Sequence, residues 1–600
     1  MANVSQDLAV RGESVQRLYD LYVSDRFQVN RRYQRKLVWS VQEKQKLIDS
    51  ILRDLPLPLF LVAEIAADRA GEFELIDGLQ RMNAIFAFLE NEFPVNGEYF
   101  DLNALADTKL AKDEGRLEQK LPVMDRMQSA SFSNYTVALS VFRARDEANV
   151  EEVFRRINSG GRRLSRQSLR QAGTLSPLAD LVRVLSSRVR GDTSPTESVP
   201  LRRMPQLSIT NYDLEYGVKV DDIFWVKNGV LRREDVRESL DEQLILDILL
   251  DCLIHPMVST GTRIRDDYYN YGDADQAATP ASLAVANAID QSGSSAVAES
   301  FMRTYDAIRL VVNKSEKKFA NLVGAGVGRS PRYYQAVFIA FYELMYGERM
   351  RLSNLTAAVS ALSGSSSGAL SVPGGGGDWT ASVKRQTIDA VKGILRSSFE
   401  GPVAEGEDDL AVFGYASQLE TMLGNALVEQ QLFDCKQGFF SLAPNRAFDE
   451  ANLKKIARTL SAMANAGRGA TGYVAVGVAD TSADAARVAD LDGIDPIDYR
   501  GFHIVGIGRE VPLHGEPLND YWHWLVQKLS TVGLDQAIAA RVTSQSRLVE
   551  YHGLAVGLLK VTSGNEPNFF DGAMYERMGS ETKVVNTSDY GRVYQSFLAN

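Results

Sequence analysis

Two stretches of this chain carry residue types and spacings suited to chemistry on a phosphate. The first is Asp77-Gly78-Leu79-Gln80-Arg81, which follows the apolar run beginning at Phe73 and precedes Met82–Leu89. It reads as a short strand, a sharp turn and a helix N-terminus. Free backbone N–H groups, the positive end of a helix dipole and a guanidinium then point one way, which makes a natural anion site. The alternative is a buried turn with Arg81 paired to Asp77. The second stretch is Glu429-Gln430-Gln431-Leu432-Phe433-Asp434-Cys435-Lys436. Leu432–Phe440 reads as a strand, and its alternation puts Asp434 and Lys436 on one face. An acid-x-Lys pair on a strand suits phosphodiester cleavage. The carboxylate holds a divalent metal, and the lysine orients water or steadies charge on the phosphorane. Glu429 is placed to reach the same metal from the preceding turn. A surface salt bridge is the plainer alternative.

Several elements must position the first stretch. Ser14–Val23 has the pattern of an amphipathic helix, and Phe27–Asn30 that of a strand. Tyr33-Gln34-Arg35 and Val38-Trp39 follow, then a capping box at Ser40-Val41-Gln42-Glu43. The helix it starts has an apolar face of Leu47, Ile48, Ile51 and Leu52 and ends at Pro56 and Pro58; Leu59–Ile65 is a strand. Further on, the helical run Asn149–Arg156 stops at Ile157-Asn158-Ser159-Gly160-Gly161, where the glycine pair forces a tight loop. Arg155, Arg156, Arg162, Arg163, Arg166 and Arg170 crowd this stretch with no acid among them. That is a phosphate or nucleic-acid patch, or else a solvated helix face.

The middle of the chain is mostly helical, with apolar periodicity over Glu238–His255, Ala296–Val312 and Arg332–Tyr346 and no catalytic constellation. Gly324-Ala325-Gly326-Val327-Gly328 follows a Lys-rich helical stretch rather than a strand, so it is not a dinucleotide loop, and no P-loop motif occurs. Ser363–Asp378 reads as a flexible insertion, and Gly401–Asp409 as a hinge. Beyond it, Phe448–Asn465 is a helix with Ile456, Leu460 and Met463 on one side, and Tyr473–Asp480 is a buried strand ending in an acid. Gly467-x-Gly469-x-x-Gly472 lies between helix and strand, the reverse of the dinucleotide order.

At 600 residues the chain exceeds one core, and three domains are expected: 1–175, 176–408 and 409–600. A net charge of −11 excludes a basic coat but not a local basic groove. Cys252 and Cys435 form no pairing or zinc pattern, which fits a reducing cytoplasm. The N-terminus is not a signal peptide, and no apolar run spans a bilayer, so no membrane partner is expected.

Three blocks in order, Tyr33-Gln34-Arg35…Val38-Trp39, Ile76-Asp77-Gly78-x-Gln80-Arg81 and Val153-Phe154-x-Arg156-Ile157-Asn158-Ser159-Gly160-Gly161-x-x-Leu164-Ser165, resemble the N-terminal domain of GmrSD-type restriction endonucleases. That domain is similar to the ParB and sulfiredoxin fold. The resemblance implies nucleotide binding through Asp77, Gly78, Gln80 and Arg81. Leu79 stands where the family usually has a glutamine, which weakens the implication of hydrolysis. It also implies nucleic-acid or phosphate contacts through Gln34, Arg35, Arg156, Asn158, Arg162 and Arg163.

The last domain resembles the Schlafen-type AlbA-like family through Glu429, Asp434 and Lys436; Ala462 and Asn465; Gly477, Val478 and Asp480; and Tyr575, Arg577, Gly579 and Ser580. The resemblance implies nucleic-acid binding, with Arg577 among the contacts. In nuclease members it implies a magnesium or manganese centre, here Glu429, Asp434 and Asp480 with Lys436 assisting. Asp434 replaces the usual glutamate, and Ala479 stands at an often acidic position. Histidines 503, 514, 523 and 552 are scattered with no His-x-x-Pro…Asn or His-Asn-His arrangement, so the HNH half that often follows a GmrSD-type domain is not expected in this sequence.

The expectation is a multidomain α+β protein: a ParB-like α/β N-terminal domain, a helical middle and a Schlafen AlbA-like C-terminal domain. As a function, it is a bacterial defence-type, nucleotide-regulated, metal-dependent nuclease acting on DNA or RNA. The nucleotide is left open among ATP, GTP and CTP, and a homo-oligomer is left open too. The alternatives are a nucleic-acid-binding regulator without nuclease chemistry, and an NTPase acting through the N-terminal domain alone.

Overall fold

The computed structural model describes residues 8–32, 36–65, 71–144, 150, 153, 165–174, 176–194, 196–210, 217–271, 278–324, 330–368, 370, 379–401, 415–426 and 431–598. The chain is mixed α/β and divides into two compact units, Met1–Val403 and Ala404–Asn600.

The first unit is built on a six-stranded mixed sheet. Its elements are β1 (Leu8–Ser14), α1 (Val15–Val23), β2 (Phe27–Asn30), α2 (Val41–Leu52), β3 (Phe60–Ile65), β4 (Phe73–Asp77), α3 (Leu79–Leu89), β5 (Thr136–Ala144) and β6 (Ser198–Pro200). The strand order is β1-β5-β3-β4-β2-β6. Local chemistry sets the ends. The Ser14 hydroxyl accepts from the Arg17 N–H at 3.1 Å and starts α1. Ser40 and Glu43 form the reciprocal capping box that starts α2. β4 is buried over its first four residues, and α3 is buried from Met82 to Leu89. Helix α3 lies against aromatic rings, with Phe86 stacked 4.3 Å from Tyr22.

The same unit continues into helices Leu240–Leu253, Ser294–Ser315 and Pro331–Tyr342, matching the periodicity of the middle segment. A strand from beyond residue 175 belongs to the N-terminal sheet: β6 pairs antiparallel with β2. The N-terminal and helical segments therefore form one compact unit rather than two. The expected hinge from residue 402 onward and the glycine run at 371–378 lie outside the described residues.

The second unit has a four-stranded sheet. Phe433–Lys436 is the edge strand and runs parallel to Thr471–Val476; Leu554–Thr562 and Arg547–Tyr551 follow antiparallel. Helix Glu450–Ala464 covers one face through Leu453, Ile456, Leu460 and Met463, packed with Val474, Val476, Leu559 and Val561. Helix Tyr415–Ala426 covers the other, packed with Phe433, Cys435, Ala475 and Leu558.

Two strands differ from their sequence expectation. The strand expected over Leu432–Phe440 ends at Lys436, because the N–H groups of Phe439 and Phe440 donate to the buried Glu510 carboxylate, at 2.9 and 3.0 Å, instead of to a neighbouring strand. The strand expected over Tyr473–Asp480 breaks at Gly477, whose φ of +98° leaves the sheet. Val478–Ala479 then joins a separate small sheet. A Cβ at Gly477 would lie 2.9 Å from the Gly506 backbone, so glycine is required there.

Candidate functional site

In the first unit, the turn from β4 into α3 is made by Gly78, at φ +104°. A Cβ there would meet the Phe60 ring at 2.5 Å. Glycine at the N-cap leaves α3 without a side-chain cap. Arg81 turns back onto the strands. It bonds the Asp77 carboxylate at 2.8 Å and the carbonyls of Pro58 and Leu59 at 2.5 and 3.2 Å, and its guanidinium lies 4.7 Å from the Phe60 ring centre. Arg81 thus pairs with Asp77, whose side chain is 43% exposed.

Gln80 acts as a clasp. Its Oε1 accepts from the N–H groups of Val38 and Trp39 at 3.0 and 3.3 Å, and its Nε2 donates to the Lys36 carbonyl at 2.7 Å. All three bonds go to backbone, so Gln80 fixes the segment that follows Tyr33-Gln34-Arg35. That segment is held from its other side as well. Lys36 Nζ donates to the Val236 carbonyl at 2.7 Å and lies 3.6 Å from Asp241 and 3.7 Å from Glu242. The same two acids pair with the buried Arg190 at 2.7 and 3.3 Å, and Arg190 also meets Asp192 at 3.1 Å. Asp241 and Glu242 gave no functional signal in sequence, because they sit in an ordinary acidic first helical turn.

Gln34, Arg35, Arg156, Asn158, Arg162 and Arg163 lie outside the described residues, as does Glu429. Two other members of the arginine run share one carboxylate. Arg170 is buried and pairs with Asp266 at 2.7 Å, and Arg166 meets the same carboxylate at 2.6 Å. Arg170 is therefore structural, tying its helix to helix Thr262–Tyr269, whereas Arg166 meets Asp266 from the surface with its side chain 58% exposed.

In the second unit, Asp434, Lys436 and Asp480 come together. Phe433 and Cys435 point to the Tyr415–Ala426 side, so alternation turns Asp434 and Lys436 to the other face. Lys436 Nζ lies 2.9 Å from Asp434 Oδ2 and 4.0 Å from Asp480 Oδ2, and also donates to the Cys435 carbonyl at 2.6 Å. The break at Gly477 brings Asp480 there: the Gly477 N–H donates to the Lys436 carbonyl at 2.8 Å, holding the ends of both strands together. Burial pushes the Asp480 carboxyl up, Lys436 pulls it down and Asp434 pushes it up again. Its side chain is still 55% exposed, so this end of the site is open to solvent.

Arg577 completes the group from below. It is buried, donates to the Phe433 carbonyl at 3.2 Å and to the Thr582 hydroxyl at 3.3 Å. Burial pushes its pKa down and the Asp434 carboxylate pulls it up. The cluster can place an ammonium against a phosphate oxygen beside two acids. Asp434 and Asp480 supply hard oxygen ligands of the kind magnesium or manganese takes. Among the described residues, no three His, Cys, Asp or Glu side chains converge as a metal-holding group. Glu510 escaped sequence reading altogether. It ends the edge strand and accepts from the Tyr521 hydroxyl at 2.6 Å, and no spacing links it to Asp434.

Residues 18–175 match the model of the family described as the N-terminal domain of the GmrSD restriction endonuclease. The first unit therefore opens with a domain of that type. No curated protein matches the chain. Among solved structures, the DIP2311 protein from Corynebacterium diphtheriae is similar at 18% identity, over 30% of this chain and 24% of that one, with a TM-score of 0.19. The chain thus spans well under two thirds of that protein, and a likeness at this level carries no argument. No helix among the described residues is long and apolar enough to cross a membrane.

Proposed function

We propose that the protein is a cytoplasmic, restriction-type defence nuclease acting on DNA or RNA. Its N-terminal domain is the nucleotide-responsive input, and its second unit cuts. The observation that carries the cutting assignment is Lys436 Nζ held 2.9 Å from Asp434 and 4.0 Å from Asp480 at a partly open sheet edge. Asp434 and Asp480, with Glu429, would hold magnesium or manganese. When bound, that ion supplies Lewis-acid activation of the phosphodiester. The chain's own residues do the rest. Asp434 keeps the ammonium of Lys436 aimed into the site, where it stabilises charge on the phosphorane. Arg577 fixes the edge strand through the Phe433 carbonyl, so the acid and the lysine stay in register.

At the input, a nucleoside triphosphate would place its phosphates on the uncapped N-terminus of α3 at Gly78. Asp77 and Arg81 brace the turn, and Gln80 transmits its position to residues 36–39. The AlbA-like character of the second unit and the ParB-like character of the first belong to the same reading. The test is cleavage of labelled DNA and RNA in magnesium or manganese, with and without ATP, GTP or CTP. Wild type should cut and respond to one nucleotide, and Asp434→Ala should not cut. Equal behaviour of the two proteins would end the catalytic assignment.

A second reading has its own support. Lys436 lies within ion-pair reach of both acids, which suits a surface that holds nucleic acid without cutting it. That reading expects salt-dependent binding that survives Asp434→Ala, with no cleavage by either protein.

A further inference from the structure

Helix Glu450–Ala464 lies on the sheet face to which Asp434 and Lys436 point. Its apolar stripe is used up by the core. Its flank at Lys455, Arg458 and Thr459 is turned toward the hairpin Tyr575–Met578/Glu581–Val584, since Thr459 meets the Thr582 hydroxyl at 3.3 Å. The same hairpin carries Arg577, which bonds the edge strand next to Asp434. The flank therefore borders the acid–lysine cluster.

The two cations on this flank are not tied to an acid among the described residues. Their neighbour Lys454 is tied to Asp571 at 2.6 Å, and Arg446 and Arg509 are both tied to Asp492. Arg458, by contrast, makes no ion pair or hydrogen bond among the described residues. Its guanidinium lies 5.5 Å from the Tyr575 ring centre, and its buried Nε has no partner. Lys455 is exposed and has no ion-pair partner among the described residues. In a chain of net charge −11, an unspent pair of cations one helical turn apart is a site for an anion.

We propose that Lys455 and Arg458 form a phosphate-binding strip that takes the phosphodiester backbone of a nucleic-acid strand beside the group held at Asp434, Lys436 and Asp480. Tyr575 supports the strip by fixing the Arg458 guanidinium over its ring. The strip rests on the reading of the second unit as a nucleic-acid site. It adds a binding surface that does no chemistry: it sets where the strand lies relative to the carboxylates.

The experiment uses the full chain and four fluorescent oligonucleotides, single- and double-stranded DNA and RNA, titrated over a range of salt. Each lost phosphate contact lowers the slope of log K against log salt by about 0.7–0.9. For Lys455→Gln/Arg458→Gln the slope should fall by about 1.5, with binding about tenfold weaker near physiological salt. Arg458→Lys should keep the slope, which separates charge from packing. Lys455→Gln should leave melting unchanged, and the double variant should lose no more than the ring contact of Arg458, because neither cation makes an ion pair or hydrogen bond among the described residues. The arm that loses most identifies the strand type. Wild-type binding with an unaltered slope in the double variant overturns the strip alone and leaves the nuclease reading standing. No binding by wild type to any oligonucleotide overturns both.

Discussion

Two strand ends in this chain set an aspartate beside a cation, and they use the pair in opposite ways. At Asp77, Arg81 is consumed by the fold: one carboxylate, two backbone carbonyls and an aromatic face take up its guanidinium. At Asp434, Lys436 is shared between two acids, one of which is more than half exposed. The first pair braces a turn. The second leaves its ammonium between two carboxylates at the open end of the site, where the proposed function has it exchange one for a phosphate. What separates them is how many partners the cation's geometry engages at once: Arg81 meets two carbonyls and a ring besides its acid, Lys436 one carbonyl. Arginine's fork reaches several carbonyls at once, whereas a lysine gives one compact charge that can be redirected.

Perturbing the supports of each pair should break or sharpen this contrast. The largest effect is expected at Glu510, which holds the turn after the edge strand. Glu510→Ala strands two buried N–H groups and the Tyr521 hydroxyl and should cost the second unit about 3–5 kcal/mol in urea unfolding. Next is Gly78→Ala. A Cβ at φ +104° against Phe60 should cost the first unit about 2–4 kcal/mol, and a nearly unchanged midpoint would show that the turn is not braced as described.

The third test uses pH and the far end of α3. Glu90 caps that end, and its pKa is pushed up to about 7 by burial and by Glu92, against the hydrogen bond from Tyr19 at 3.2 Å. A carboxyl raised on folding contributes stability at low pH that is lost as pH climbs from its ordinary range through 7. Glu90→Gln should therefore stabilise the first unit by about 1–3 kcal/mol at pH 8 and leave it nearly unchanged at pH 5. A pH-independent difference would refute the assignment. A smaller effect, about 1–2 kcal/mol, is expected for Gln80→Ala, with faster amide exchange at Val38 and Trp39 as the local signature. The smallest effect is expected at the open pair. Asp480→Asn removes a carboxyl raised by burial, so melting should stay level or rise slightly at neutral pH while cleavage is lost.

Much of the frame could be read from local chemistry. The Ser40–Glu43 capping box, the strand-turn-helix at Gly78 and the alternation of Asp434 and Lys436 each follow from a few adjacent residues. What escaped was set by residues distant in sequence. Nothing near Gln80 announces that it grips the backbone of residues 36–39, and nothing near Phe440 announces Glu510. The end of the edge strand was missed for that reason: a buried carboxylate outcompetes a neighbouring strand for two N–H groups. The domain boundary near residue 175 was blurred by β6, three residues whose pairing with β2 no short-range pattern marks. Arg170 looked like part of a basic patch because its partner, Asp266, lies far along the chain.

The central claim is that Lys436 is free to serve a phosphate while Arg81 is not. Single-turnover cleavage by wild type, Lys436→Ala and Lys436→Arg, with melting followed in parallel, tests it most directly. Loss of one charge-stabilising group should slow cleavage by about 100–1000-fold in Lys436→Ala with little change in melting temperature, and Lys436→Arg should recover part of the rate. Undiminished cleavage by a stably folded Lys436→Ala would contradict the account.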